Sequence, residues 1–179
     1  MSADVLERLR NLLRAEGGLI ATLIAPHGPV RDTGTDPDSS PAAIAARGPR
    51  TEAMSGEYEL LVEAIYEGYL LHYGHPRVVR AGEEDLELLA GDRLYAIGLA
   101  RLVALGDTMA VAELADTITL SALAQGAGDQ ALADAVWAAG ARAVGWGSNG
   151  THRRAKELVL AGSPEAVDAM RTSAVPVHD

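Results

Sequence analysis

Residues 83–107 read EEDLELLAGDRLYAIGLARLVALGD, and this run decides the fold class. Apolar and small residues fill most of its 25 positions, a length that suits a helix and exceeds an ordinary strand. The run is apolar around nearly its whole circumference, which predicts a helix buried in the interior. Yet Asp92, Arg93 and Arg101 lie inside it. The neighbours of Asp92 one turn away are Leu88, Leu89, Tyr95 and Ala96, so its carboxylate is expected to leave water on folding. A buried charge needs a partner or a proton. Two readings follow: an ion pair with Arg93, Arg101 or an arginine of another helix, or a polar group lining a cleft. Gly91 and Gly98, seven residues apart, fall on one stripe and predict close helix contact or room for a ligand.

Working outward, helical periodicity recurs on both sides. From Ser55 to about Tyr73, Tyr58, Leu61, Val62, Ile65, Tyr66, Tyr69, Leu70 and Tyr73 form one face, with Glu57, Glu63 and Glu67 away from that seam. Gly74 and Pro76 stop this helix. Downstream, Gly106 ends the 83–107 run, and Asp107 caps a helix over 108–123 whose Val111, Leu114, Ala115 and Ile118 point inward. Gly126, Gly128 and Asp129 repeat the device before a helix over 130–145. Thr151 is expected to cap a shorter helix to about Leu160, and Ser163-Pro164-Glu165 to start the last one. At the other end, residues 3–15 predict a helix with Val5, Leu9, Leu12 and Leu13 inward. GLIATLIA, residues 18–25, suits a strand or a short buried helix, and helix is preferred because no second strand candidate stands out. Residues 26–50 hold five of the eight prolines and read as a long loop, with a brief helical turn from Ser40-Pro41 to Ala46. The tail from Thr172 is expected to fray. The sum is one all-α domain over residues 1–179, a bundle of six to eight helices.

Composition fits that architecture. Hydrophobic residues make up 48% of the 179, but phenylalanine is absent, so Leu, Ala, Val and Ile build the core. Zero cysteines exclude disulfides, thiolate metal sites and a cysteine nucleophile. A net charge of −10 argues against a nucleic-acid backbone as partner. No apolar run reaches the roughly 20 residues needed to span a bilayer, and the first residues lack a signal peptide's apolar core. A cytoplasmic protein is the expectation.

Leu88-Leu89-Ala90-Gly91-Asp92-Arg93-Leu94-Tyr95, followed by an apolar helix and Leu105-Gly106-Asp107, resembles the LAGD-x-L helix of trans-polyprenyl diphosphate synthases. Gly74-His75-Pro76 looks like the Gly-x-Pro that precedes this helix in that family. The likeness is closer to the small, non-catalytic component of two-component heptaprenyl diphosphate synthases, and it covers roughly residues 60–125. It implies a truncated isoprenoid-synthase-like bundle that self-associates or serves a catalytic prenyl-synthase partner. Catalytic members hold magnesium on a diphosphate through Asp-rich motifs. Here the corresponding segment, Tyr66 to His75, contains Glu67 but no aspartate, and no Asp-Asp pair occurs anywhere in the chain. No catalytic residue is therefore carried over, and no cofactor is expected; Mg2+ would enter only with a partner that supplies its ligands.

The residues left as binding candidates are Tyr66, Glu67, Tyr69, His72, Asp92 and Tyr95, which would furnish polar groups to an apolar, helix-walled pocket closed by the 26–50 loop. His72 and His75 are three apart, but Gly74 and Pro76 break the helix between them, which weakens a metal clip. His152, Arg153 and Arg154 open a capped helix and suit an anion, with an ordinary charged helix face as the alternative. No Ser–His–Asp order singles itself out for nucleophilic catalysis. The tyrosine-rich helix 58–73, packed on 91–105, is the predicted association surface.

Overall fold

The computed structural model describes residues 2–26 and 37–175. Nine α-helices occur among them: α1 (Ser2–Glu16), α2 (Gly18–Thr22), α3 (Pro41–Ala46), α4 (Ser55–Tyr73), α5 (Glu84–Ala104), α6 (Thr108–Gly126), α7 (Gln130–Trp146), α8 (Gly150–Leu160) and α9 (Ala166–Ala174). The all-α class is as expected, and the helix count exceeds six to eight because α2 and α3 are only five and six residues long. No strand is present among the described residues. One isolated antiparallel bridge joins Ile24 to Val79, so the 18–25 segment is part helix, part extended chain. No described helix is long and apolar enough to cross a membrane.

The punctuation read from the sequence is largely in place. Ser40 Oγ accepts the Ala43 N–H at 3.2 Å and starts α3. Asp107 and Asp129 cap α6 and α7 by accepting from Ala110 and Leu132 at 3.0 and 2.9 Å. Gly106 makes the α5–α6 turn at φ 81°, a conformation that favours glycine. Two caps differ. Asn149, not Thr151, caps α8 by accepting the His152 N–H at 2.9 Å. The last helix starts at Ala166, after a turn in which Ser163 Oγ accepts the Glu165 N–H. That helix runs on to Ala174, past the expected fraying point at Thr172. Part of the 26–50 loop, residues 27–36, lies outside the described residues.

α4 is the axis of the molecule. α5 packs along it, α1 lies on another side, and α3 wedges between α4 and α7. α6 and α7 form a hairpin, and α8 and α9 close the far end of α7. Three apolar clusters follow. Val5, Leu6, Leu9 and Leu13 of α1 meet Leu60, Ala64, Leu94 and Ile97. Leu61, Ile65 and Tyr69 meet Leu102, Leu114, Trp137 and Ala141. Leu120 and Val136 meet Ala155, Val159 and Met170.

The opening helix is the largest correction. α5 is not buried all round: its inward stripe is Ala90, Gly91, Leu94, Ile97, Gly98 and Leu102, while Leu88, Leu89 and Val103 are exposed. Asp92 sits off that stripe, and its side chain is 69% exposed, so no buried charge needs explaining. Arg93 and Arg101 reach instead from α5 to Glu16 of α1, at 3.1 and 3.3 Å. The glycine stripe does what close packing requires. A Cβ on Gly91 would come 2.6 Å from His72 Nε2 and 3.0 Å from the Gly68 carbonyl oxygen, and one on Gly98 would collide with Ile65. α4 is correspondingly buried on more sides than its tyrosine face. Glu63 and Glu67, expected away from the seam, are 1% and 0% exposed. Ala115, expected inward on α6, is exposed.

Candidate functional site

Two buried polar clusters interrupt the apolar interior. The first is built on α4 and the connector to α5. Glu67 Oε1 accepts backbone N–H groups from Arg77, Val78 and Val79 at 2.7, 2.6 and 3.2 Å. The Arg77 guanidinium lies 3.4 Å from Glu67 Oε2, donates to Glu63 Oε1, and rests 5.4 Å from the Tyr66 ring centre. A carboxylate one turn from another on a helix is thus turned into the anchor of an extended segment. That segment also pairs with the α2 end, where Ala25 N–H donates to Val78 and Arg80 N–H to Leu23. One guanidinium faces two carboxyls. Burial pushes the Glu63 carboxyl above its usual range, against the pull of Arg77.

Around this cluster lie the aromatic candidates. Tyr66 stacks on Tyr69 at 5.8 Å and meets Trp137 edge-on at 4.9 Å. Tyr69 accepts a hydrogen bond from Gln125 at 2.6 Å. Burial pushes the Tyr66 phenol up to about 12 and raises Tyr69 and Tyr95 as well, so these hydroxyls stay neutral donors. His72 stacks flat on Tyr95 at 5.4 Å, and its Nε2 lies 3.2 Å from Asp92 Oδ1. The structure therefore gathers Tyr66, Glu67 and Tyr69 in the core, and His72, Asp92 and Tyr95 at its margin. No group of three or more His, Asp or Glu suited to a metal ion occurs among the described residues, and His75 is exposed. An apolar cavity of about 350 Å³ does exist, but elsewhere: Gly17, Leu19, Ile20, Leu23, Leu89 and Ala90 wall it, with Glu16 and Arg93 at its edge.

The second cluster joins α6, α8 and α9. His152, 4% exposed, has Nδ1 3.2 Å from Ser173 Oγ and Nε2 3.2 Å from Glu113 Oε2. Lys156 bridges Glu113 and Asp116 at 3.0 and 2.7 Å. Burial alone would raise the Glu113 carboxyl, but hydrogen bonds from His152 and Lys156 hold it at about 2. The geometry resembles a Ser–His–acid relay, but the buried Ser173 hydroxyl donates to the Met170 carbonyl at 2.9 Å, so its hydrogen is not directed at the imidazole, and the arrangement ties α6, α8 and α9 together. The anion candidates are separated by it: His152 turns inward, whereas Arg153 is exposed and Arg154 pairs with Glu157 at 2.9 Å.

Sequence reasoning gave no role to Arg77, Glu113 or Ser173, and it placed Glu63 only as a possible third metal ligand and Lys156 only in a basic patch with His152, Arg153 and Arg154. For Glu63 a signal existed, because Leu60-Leu61-Val62 and Ala64-Ile65-Tyr66 flank it on every side of the helix. For Glu113 and Ser173, sixty residues apart and exposed by pattern, none did. Fold and site together define an all-α bundle with buried polar clamps. No protein-family model matches the chain, and no curated protein and no solved structure is significantly similar to it.

Proposed function

We propose that this chain is a non-catalytic helical subunit that docks the outer face of α5 and α6 onto a catalytic polyprenyl-synthase-type chain. The observation that carries the reading is the composition of that face. From Leu94 to Ala104, the exposed positions of α5 are Ala96, Ala100, Arg101, Val103 and Ala104. On α6, Thr108, Met109, Ala112, Ala115, Asp116, Thr119 and Leu123 are exposed. Two charges among these twelve positions, in a chain of net charge −10, is a surface poor in what keeps helices solvated, whereas the preceding turns of α5 expose Glu84, Asp85, Asp92 and Arg93 beside Leu88 and Leu89. Leu88, Leu89, Val103, Met109 and Leu123 are each at least 40% exposed. The tyrosine helix is a weaker candidate surface, because Tyr58 and Tyr69 are 7% and 3% exposed and only Tyr73 reaches solvent freely.

The choice of partner rests on chemistry and on the resemblance. In the segment where catalytic members of the resembled family place metal-binding aspartates, Glu67 spends its carboxylate on three backbone N–H groups and Arg77. A second copy of this chain would add no Asp-rich motif, whereas a catalytic chain would. Co-expression with a polyprenyl synthase of the same source organism tests this. The tagged chain should retain the synthase on an affinity resin, and Val103→Glu should release it. Failure of any synthase to be retained overturns the proposal.

A second reading has the apolar cavity between α1, α2 and α5 in its favour: it would take an apolar chain. A thermal shift by isoprenoid diphosphates, removed by Leu89→Asp, would support it. No shift with or without magnesium would count against it.

A further inference from the structure

At the junction of α7, α8 and α9 lies a cavity of about 230 Å³, many times what one water needs. Arg142, Trp146, Ser148, Asn149, His152 and Ser173 supply its polar and aromatic lining, and no carboxylate lines it. Arg142 is half-buried, and its guanidinium lies 4.6 Å above the Trp146 ring centre. It forms no ion pair among the described residues, although the chain carries ten more acidic than basic groups. Every other inward cation has an acid: Arg77 has Glu63 and Glu67, Arg50 has Asp107, and Lys156 has Glu113 and Asp116. The indole fixes the fork of Arg142 in place, which lowers the entropy lost when it grips a ligand. Asn149 adds a second donor. Its Oδ1 caps α8, so its amide NH2 is the group left to donate.

We propose that this cavity binds a small oxyanion, with Arg142 as the principal cation and the Asn149 amide as a positioning donor. The ligand class is phosphate or carboxylate, because a planar guanidinium pairs with either through two parallel hydrogen bonds. Neither Arg153 nor Arg154 is among the lining residues, and Arg154 pairs with Glu157. The site is independent of the α5–α6 docking face, which contributes no residue to it.

Trp146 offers the readout. Tryptophan fluorescence of the full chain is titrated at constant ionic strength with inorganic phosphate, sulfate and acetate, which separate tetrahedral from planar oxyanions. Saturable binding of at least one is expected. Arg142→Gln should weaken it at least tenfold, whereas Arg154→Gln, which removes the same charge from an exposed pair, should change it less than twofold. Asn149→Asp keeps the helix cap, and with it the fold, while placing a carboxylate at the cavity, so binding should be lost with the melting temperature unchanged. The proposal is overturned by no saturable response to any of the three anions, by equal weakening in Arg142→Gln and Arg154→Gln, or by unaltered binding in Asn149→Asp.

Discussion

Glu67 accepts the backbone N–H of Val78 at 2.6 Å, across eleven residues of sequence and from inside a helix. That one bond, with its neighbours from Arg77 and Val79, fixes where the chain leaves α4 and enters α5. It also sets a test. Removing Glu67 leaves three backbone N–H groups without their acceptor and takes one of its two buried carboxyls from Arg77, so Glu67→Ala should destabilise by about 3–5 kcal/mol in urea denaturation. Glu63→Gln should cost under about 1 kcal/mol, because the neutral amide replaces a carboxyl that burial already favours in its protonated form. Equal losses in the two variants would contradict the role of Glu67 as the anchor of the connector.

Asp92 gives the opposite case. Its side chain is 69% exposed beside His72, and exposed pairs contribute about 0–1 kcal/mol. Asp92→Asn should move the urea midpoint by the equivalent of less than about 0.5 kcal/mol. A loss several times larger would restore the buried-charge reading of the α5 sequence.

The α4–α5 contact predicts how glycines will respond. Gly98→Ala gains about 1 kcal/mol of helix propensity but drives a methyl into Ile65 and toward the Leu61 carbonyl, so a net loss of about 1–3 kcal/mol is expected. Gly126→Ala meets nothing within 4 Å and should be neutral or stabilising. Thermal melts of the two variants distinguish packing from propensity.

Glu113 sets an acid limb. Its folded pKa of about 2 lies below the ordinary 4.5, so the unfolded chain binds this proton more readily. Its stabilisation is complete above about pH 4.5 and is lost as pH falls from there to about 2, amounting to roughly 2–3 kcal/mol. The stability difference between the wild type and Glu113→Gln should therefore shrink across that window. A difference that stays constant from pH 5 to pH 2 would show that Glu113 is not held ionised.

How far these features were legible depends on their range. Helix stops and caps at Gly106, Asp107 and Asp129 are local, and each stands where the pattern put it. The Gly91–Gly98 stripe announced a close crossing because glycine in a helix is costly without one. Burial was misjudged where it depends on what packs opposite. α5 is apolar around most of its circumference yet covered on one side, and α4 carries Glu63 and Glu67 yet is covered on nearly all. Glu113 and Ser173 meet through His152 by tertiary placement alone, which periodicity cannot encode.

The docking face is tested most directly by light scattering on size-exclusion fractions of the 18.7 kDa chain mixed with a catalytic polyprenyl synthase of the same organism. The account predicts a complex whose mass exceeds the synthase alone by whole copies of this chain, and Val103→Glu returning both components to separate peaks. A chain that elutes at its own mass in every mixture, with Val103→Glu indistinguishable from wild type, would contradict it.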